Sequence, residues 1–174
     1  MKHTPDHQIL TNIAARAGAL LHRQGERVAT AESCTGGWVA QALTAVPGSS
    51  AWFEAGFVTY SNPMKRRILQ VPVEYLEGSD APGAVSEPTV EAMAEGARKL
   101  AAVDWAVATS GVAGPGGGTD KKPVGMVWIA WAGAGDRCDS EVFYFSGERE
   151  SVRYQAVEAA LEGLISRLES PVRK

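Results

Sequence analysis

The sequence predicts an α/β protein, a single-domain three-layer α/β/α sandwich with a mixed sheet. Three observations predict it. Amphipathic helical stretches and short apolar runs alternate along most of the chain, the order that covers both faces of one sheet. Two apolar runs near the C-terminal end follow each other with no helix between them, so these neighbours are expected to pair antiparallel. Finally, 174 residues with 45% hydrophobic content fill one sizeable core and leave little room for a second, so residues 1–174 read as one domain.

The elements follow in order. From His7 to Gln24, the residues Leu10, Ile13, Ala14, Ala17, Leu20 and Leu21 share one helical face, and Gly25 closes the helix. Arg27 to Ala31 reads as a strand and Gly36 to Ala45 as a helix, ended by Pro47-Gly48. Ser33 therefore stands where a strand hands over to a helix. A second strand is expected from Trp52 to Tyr60, and Ser61-Asn62-Pro63 opens a short basic helix carrying Lys65, Arg66 and Arg67.

Val71 to Ala84, interrupted by proline and glycine, reads as loop. Ser86 is the expected N-cap of a helix from Glu87 to Ala101, whose stripe is Val90, Met93, Ala94, Ala97 and Leu100. Trp105 to Thr109 reads as a buried strand. Pro123 to Trp131 and Ser140 to Phe145 are the remaining strands, and Arg149 to Leu168 is a final amphipathic helix.

Composition excludes several function classes. Seventeen Lys and Arg against 20 Asp and Glu give a net charge of −3, so no global field draws the protein to nucleic acid or anionic membrane. Any anionic ligand must be met by a local cluster. Two isolated cysteines, Cys34 and Cys138, make neither a disulfide framework nor a paired zinc pattern. No signal-peptide or membrane-spanning stretch is evident, and the cytoplasm is the expected location.

Chemistry enters at Ala31-Glu32-Ser33-Cys34-Thr35-Gly36-Gly37. A serine at a strand-to-helix junction projects its hydroxyl beyond the sheet edge, and N–H groups at the helix start can hold an oxyanion. An arbitrary serine there is more often a helix cap, so the motif alone is weak. The usual base is histidine, yet His3, His7 and His22 all precede the first strand. A lysine serves when burial lowers its pKa, which makes Tyr60 and Lys65 the base candidates against a solvated-face alternative. Cys34 is a rival nucleophile, with an inert packed thiol as the plainer reading.

Thr109-Ser110-Gly111-Val112-Ala113-Gly114-Pro115-Gly116-Gly117-Gly118 follows a buried strand, where open α/β sheets place ligands. It is neither a Walker A loop nor a dinucleotide fingerprint. Its glycines suit a phosphate nest, with Lys121, Lys122, Arg149 or Arg153 supplying charge. Arg149 is the most telling cation, because the macrodipole at a helix N-terminus disfavours it. Glu32 and Asp104 are a conceivable carboxylate pair, but no metal-ligand spacing accompanies them and no metal or cofactor is expected.

Together, the Ser33 block, Val-Thr-Tyr60-Ser-Asn62 with Lys65, Gly83-Ala-Val-Ser86, the Thr109–Gly118 block, Lys122-Pro-Val-Gly125 and Phe145-Ser-Gly-Glu-Arg149-Glu-Ser-Val-Arg153 resemble the CinA C-terminal domain family. Glu148 and Ala156 depart from residues common there. The resemblance implies a stand-alone nicotinamide-nucleotide amidase, hydrolysing nicotinamide mononucleotide to nicotinic acid mononucleotide and ammonia in pyridine nucleotide salvage. It also implies Ser33 as nucleophile, Tyr60 and Lys65 assisting proton transfer, Thr109 lining the site, and a homo-oligomer, a dimer. On the combined reading the nucleotide lies against Cys34, Thr35, Gly36, Thr109, Ser110, Gly111, Gly114, Gly116, Gly117 and Arg149. A non-catalytic nucleotide-binding or scaffolding module is the competing class, and another small amide or phosphate-ester hydrolase the third.

Overall fold

A computed structural model describes residues 6–133, 135 and 137–170. Helix α1 (His7–Gln24) starts on Asp6, whose carboxylate accepts from Gln8 N–H. It ends at Gly25, left-handed at φ 69, with Gly25 N–H on His22 O and Glu26 N–H on Leu21 O. Strand β1 (Val28–Glu32) is buried throughout. It begins one residue later than expected because Arg27 N–H turns to the Asp104 carboxylate.

Helix α2 (Trp38–Thr44) and a 3₁₀ turn at Ser49–Ala51 lead to strand β2 (Phe53–Val58). The strand is shorter than the expected Trp52 to Tyr60. Thr59 N–H still reaches Glu32 O, but the carbonyls of Thr59 and Tyr60 turn toward Lys65. Helix α3 (Asn62–Leu69) opens with Pro63 in its first turn, as expected. A four-residue helix α4 (Val73–Leu76) stands inside the segment expected to be loop.

Helix α5 (Glu87–Ala101) starts at Ser86, but the Ser86 hydroxyl donates to Gly83 O instead of capping the helix. Strand β3 (Trp105–Gly111) is followed by β4 (Met126–Gly133), which starts later than Pro123. Strand β5 (Arg137–Tyr144) starts before the expected Ser140, because Asp139 and Glu141 are held by Arg167 of helix α6 (Arg149–Glu169).

The sheet order is β2-β1-β3-β4-β5. Strand β1 is parallel to both β2 and β3, whereas β3–β4 and β4–β5 are antiparallel. Helices α1, α2 and α6 cover one face with a core that includes Leu10, Leu21, Leu43, Leu161 and Leu164; α3, α4 and α5 cover the other over Leu69, Val90 and Met93. Each fully buried aliphatic side chain contributes about 1.5–3 kcal/mol. The three-layer sandwich with a mixed sheet is therefore as the sequence predicts. Among the described residues no helix is long and apolar enough to cross a membrane.

Two features of this fold position the site. After β1 the chain crosses to α2 on one face, and after β2 it crosses to α3 on the other, so a crevice opens between the carboxyl ends of β1 and β2. Helix α3 is seated over that crevice by close packing on α5. A Cβ on Gly96 would lie 2.1 Å from Leu69 O, so only glycine lets the two helices approach.

Candidate active site

Glu32 ends β1 with its side chain fully buried. One carboxylate oxygen, Oε2, accepts from Gly37 N–H and Val39 N–H, each at 3.0 Å, and from Thr35 Oγ1 at 2.6 Å; Oε1 accepts from Ala40 N–H at 2.8 Å. Four donors and the positive end of α2 compensate the buried charge. The helix thus receives its cap from Glu32, and Ser33 is released from that duty. Gly36 and Gly37 are left-handed at φ 62 and 95, so α2 begins at Trp38 and not at the expected Gly36.

Ser33 is half-buried, with its N–H on Thr109 O at 3.0 Å and its carbonyl accepting Gly36 N–H at 3.1 Å. Across the crevice stands Lys65, only 1% exposed on the buried face that α3 shares with Leu69. Its Nζ lies 3.0 Å from Ser33 Oγ, 2.9 Å from Thr59 O and 3.1 Å from Tyr60 O. No carboxylate pairs with it in these contacts. Burial therefore lowers its pKa from the ordinary 10.5 to about 8.

The Tyr60 side chain is 60% exposed, and its hydroxyl accepts from Arg149 Nη2 at 3.1 Å. Arg149 Nη1 donates to Gly114 O at 2.8 Å, tying the glycine loop to the rim of the crevice. The Cys34 thiol is buried and pushed up to about 12, by burial first and then by Glu32. It remains a neutral thiol near pH 7. Among the described residues no His, Cys, Asp and Glu group of three is placed to hold a metal ion.

With the geometry in place, comparison with known proteins is decisive. The CinA C-terminal domain profile matches residues 10–168. The chain belongs to the CinA C-terminal domain family. Among relatives of this CinA domain, the nicotinamide-nucleotide amidohydrolase PncC of Pseudomonas putida is 57% identical over 156 residues, covering 90% of this chain and 95% of its own. The Escherichia coli K12 protein of the same name is 50% identical over 155 residues, 89% and 92% of the two chains. The crystal structure of competence/damage inducible protein CihA from Agrobacterium tumefaciens superposes with TM-score 0.88 at 40% identity, covering 98% of this chain and 100% of that one.

The CinA domain gathers some of the candidates named from sequence and disperses others. Ser33, Lys65 and the Tyr60 carbonyl meet directly. Thr109 is fully buried and shares its hydroxyl with Thr35 Oγ1 at 2.7 Å, while Ser110 Oγ donates to Ala84 O. Gly111 lies in β3 against Val127, and Gly116 and Gly117 are exposed. Lys122 reaches Pro82 O, and Arg153 binds the carbonyls of Cys34 and Thr35. Asp104 sits at the opposite end of β1 from Glu32, so the two form no carboxylate pair. His7 lies beside Trp38, His22 is in the last turn of α1, and His3 lies outside the described residues.

The role of Glu32 was missed in the sequence. The signal was available: an acidic residue just before a turn whose helix begins on two glycines without a side-chain cap of its own.

Proposed function

We propose that this chain is a nicotinamide-nucleotide amidohydrolase, converting nicotinamide mononucleotide and water to nicotinic acid mononucleotide and ammonia through a serine acyl-enzyme. The contact that carries this reading is the buried Lys65 amine 3.0 Å from Ser33 Oγ. The names of the relatives supply the substrate class. In its neutral form Lys65 has two N–H groups, and Thr59 O and Tyr60 O accept both. The lone pair is then left for Ser33 Oγ.

Ser33 Oγ attacks the carboxamide carbon while its proton passes to Lys65 Nζ, and the carbonyl π pair moves onto oxygen. The C–N bond then breaks as Lys65 returns the proton to the leaving nitrogen, and ammonia departs. Water attacks the acyl carbon, giving its proton to Lys65; Lys65 passes it to Ser33 Oγ as the ester bond breaks. Tyr60 contributes its carbonyl to hold the amine, and its hydroxyl keeps a proton to donate at the entrance. The unpaired thiols of Cys34 and Cys138 suit a reducing cytoplasm.

Ammonia release from nicotinamide mononucleotide tests the reading. Ser33→Ala abolishes it, and Cys34→Ala keeps the bulk of it. Full activity in Ser33→Ala would remove the serine mechanism, and substrate binding without turnover in the wild type would make the chain a binding module.

The phosphate is assigned to the remaining donors of Arg149 and the glycine loop. Arg149→Ala is expected to raise KM for the nucleotide about 10- to 100-fold, the worth of one charge-assisted hydrogen bond, with no change in KM for the nucleoside. Equal effects on both substrates would take the phosphate away from Arg149.

A further inference from the structure

Arg153 is a cation that the proposed chemistry leaves without a task. It reaches from α6, one turn beyond Arg149, to the turn behind the nucleophile. Its Nε donates to Cys34 O at 3.1 Å and its Nη2 to Thr35 O at 2.8 Å, while the guanidinium lies 5.4 Å from the Trp38 ring centroid. Gly36 admits it closely, since a Cβ there would stand 3.2 Å from Arg153 Nη2.

The backbone donors from Ser33 to Ala40 can be accounted for one by one. Ser33 N–H is on Thr109 O, Gly36 N–H on Ser33 O and Trp38 N–H on Thr35 O. Gly37, Val39 and Ala40 donate to Glu32. The first turn of α2 therefore has no amide to spare for an oxyanion. Cys34 and Thr35 are buried, and their N–H groups have no acceptor on another described residue. Both follow the nucleophile directly in a turn closed by the Ser33 carbonyl.

We infer that Arg153 is a positioning residue for the oxyanion, holding the Cys34–Thr35 peptide so that Thr35 N–H faces the oxygen that gains charge when Ser33 attacks. This rests on the serine reading proposed above. In a trans peptide the C=O and N–H lie antiparallel in one plane, so fixing Cys34 O on the guanidinium fixes Thr35 N–H on the opposite side. A cation on the carbonyl also polarises the amide and makes its N–H a stronger donor. Arg153 touches no reacting atom and acts through the peptide.

The test compares Arg153→Met and Arg153→Lys with wild type on nicotinamide mononucleotide and nicotinamide riboside, with urea midpoints and Ser33→Ala alongside. Losing an oriented oxyanion donor is expected to lower kcat about 10²–10³-fold. The same factor should appear on both substrates, with KM little changed and partial recovery in Arg153→Lys. A rise in KM confined to the nucleotide would make Arg153 a phosphate ligand and overturn the inference. So would a kcat loss that merely follows the fall in urea midpoint across the two variants. An inactive Ser33→Ala beside an unaffected Arg153→Met overturns the role of Arg153 alone, whereas an active Ser33→Ala overturns the serine reading and this inference with it.

Discussion

Lys65→Met is expected to lower the kcat for nicotinamide mononucleotide about 10³–10⁴-fold, the upper range for losing a positioned proton-transfer group, while nucleotide binding measured by calorimetry persists. The methionine keeps the length and fills the same buried place beside Leu69, so α3 stays seated on α5. What it removes is the lone pair 3.0 Å from Ser33 Oγ.

Two pH measurements accompany it. Lys65 works as a base only when neutral, so the wild-type kcat/KM rises with pH and levels off above about 8. The residual activity of Lys65→Met should lack that limb. Stability follows the same proton. The folded value of about 8 lies below the ordinary 10.5, so between these values Lys65 is protonated only in the unfolded chain and its own contribution to stability rises with pH. Lys65→Met lacks that contribution, so the wild-type stability measured relative to Lys65→Met rises with pH across the window. A mutant that keeps both the activity limb and the stability slope would return Lys65 to a structural role.

The second large effect is expected at Glu32. Glu32→Gln retains the shape but replaces an acceptor oxygen by an NH₂ group facing N–H donors. Three amides of α2 and the Thr35 hydroxyl all depend on the carboxylate. Each buried donor left unsatisfied costs about 1–3 kcal/mol, so a total loss of about 3 kcal/mol or more is expected, read as a fall of roughly 1–2 M in the urea midpoint. Activity should fall as well, because freed amides at 37, 39 and 40 draw the turn bearing Ser33 away from Lys65. An unchanged urea midpoint in Glu32→Gln would show that α2 is held by its packing through Val39 and Leu43 and not by the carboxylate.

Much of the fold was legible because the relevant information is local. The stripe of α1 and its closure at Gly25 follow from helical periodicity and from glycine's access to positive φ. Proline in the first turn of α3 marked its start, and two consecutive apolar runs marked the antiparallel β4–β5 pair. Helix α4 escaped notice because four residues between proline and glycine carry too little periodicity to register. The early start of β5 did too, since its outward Asp139 and Glu141 look like loop until Arg167 arrives from α6.

At the candidate site the residue types were legible, but several partners were not. Ser33 and Lys65 were named on chemical grounds, yet Glu32 resembled half of a carboxylate pair and Arg153 a phosphate ligand. Glu32 instead holds the amides of the local turn and the start of α2, and Arg153 binds two carbonyls far from it in sequence.

The sequence by itself determined the apolar faces of the long helices, save Leu100 of α5, which is 55% exposed, the order of the elements apart from α4, and that a serine stands at the end of β1. Only the tertiary structure decided that the crossovers after β1 and β2 run to opposite faces. Only it placed Lys65 over Ser33 with its charge stripped of water. Periodicity reports the direction of a side chain relative to its own helix axis. Desolvation is produced by what other segments place around it, and that depends on how the whole chain packs.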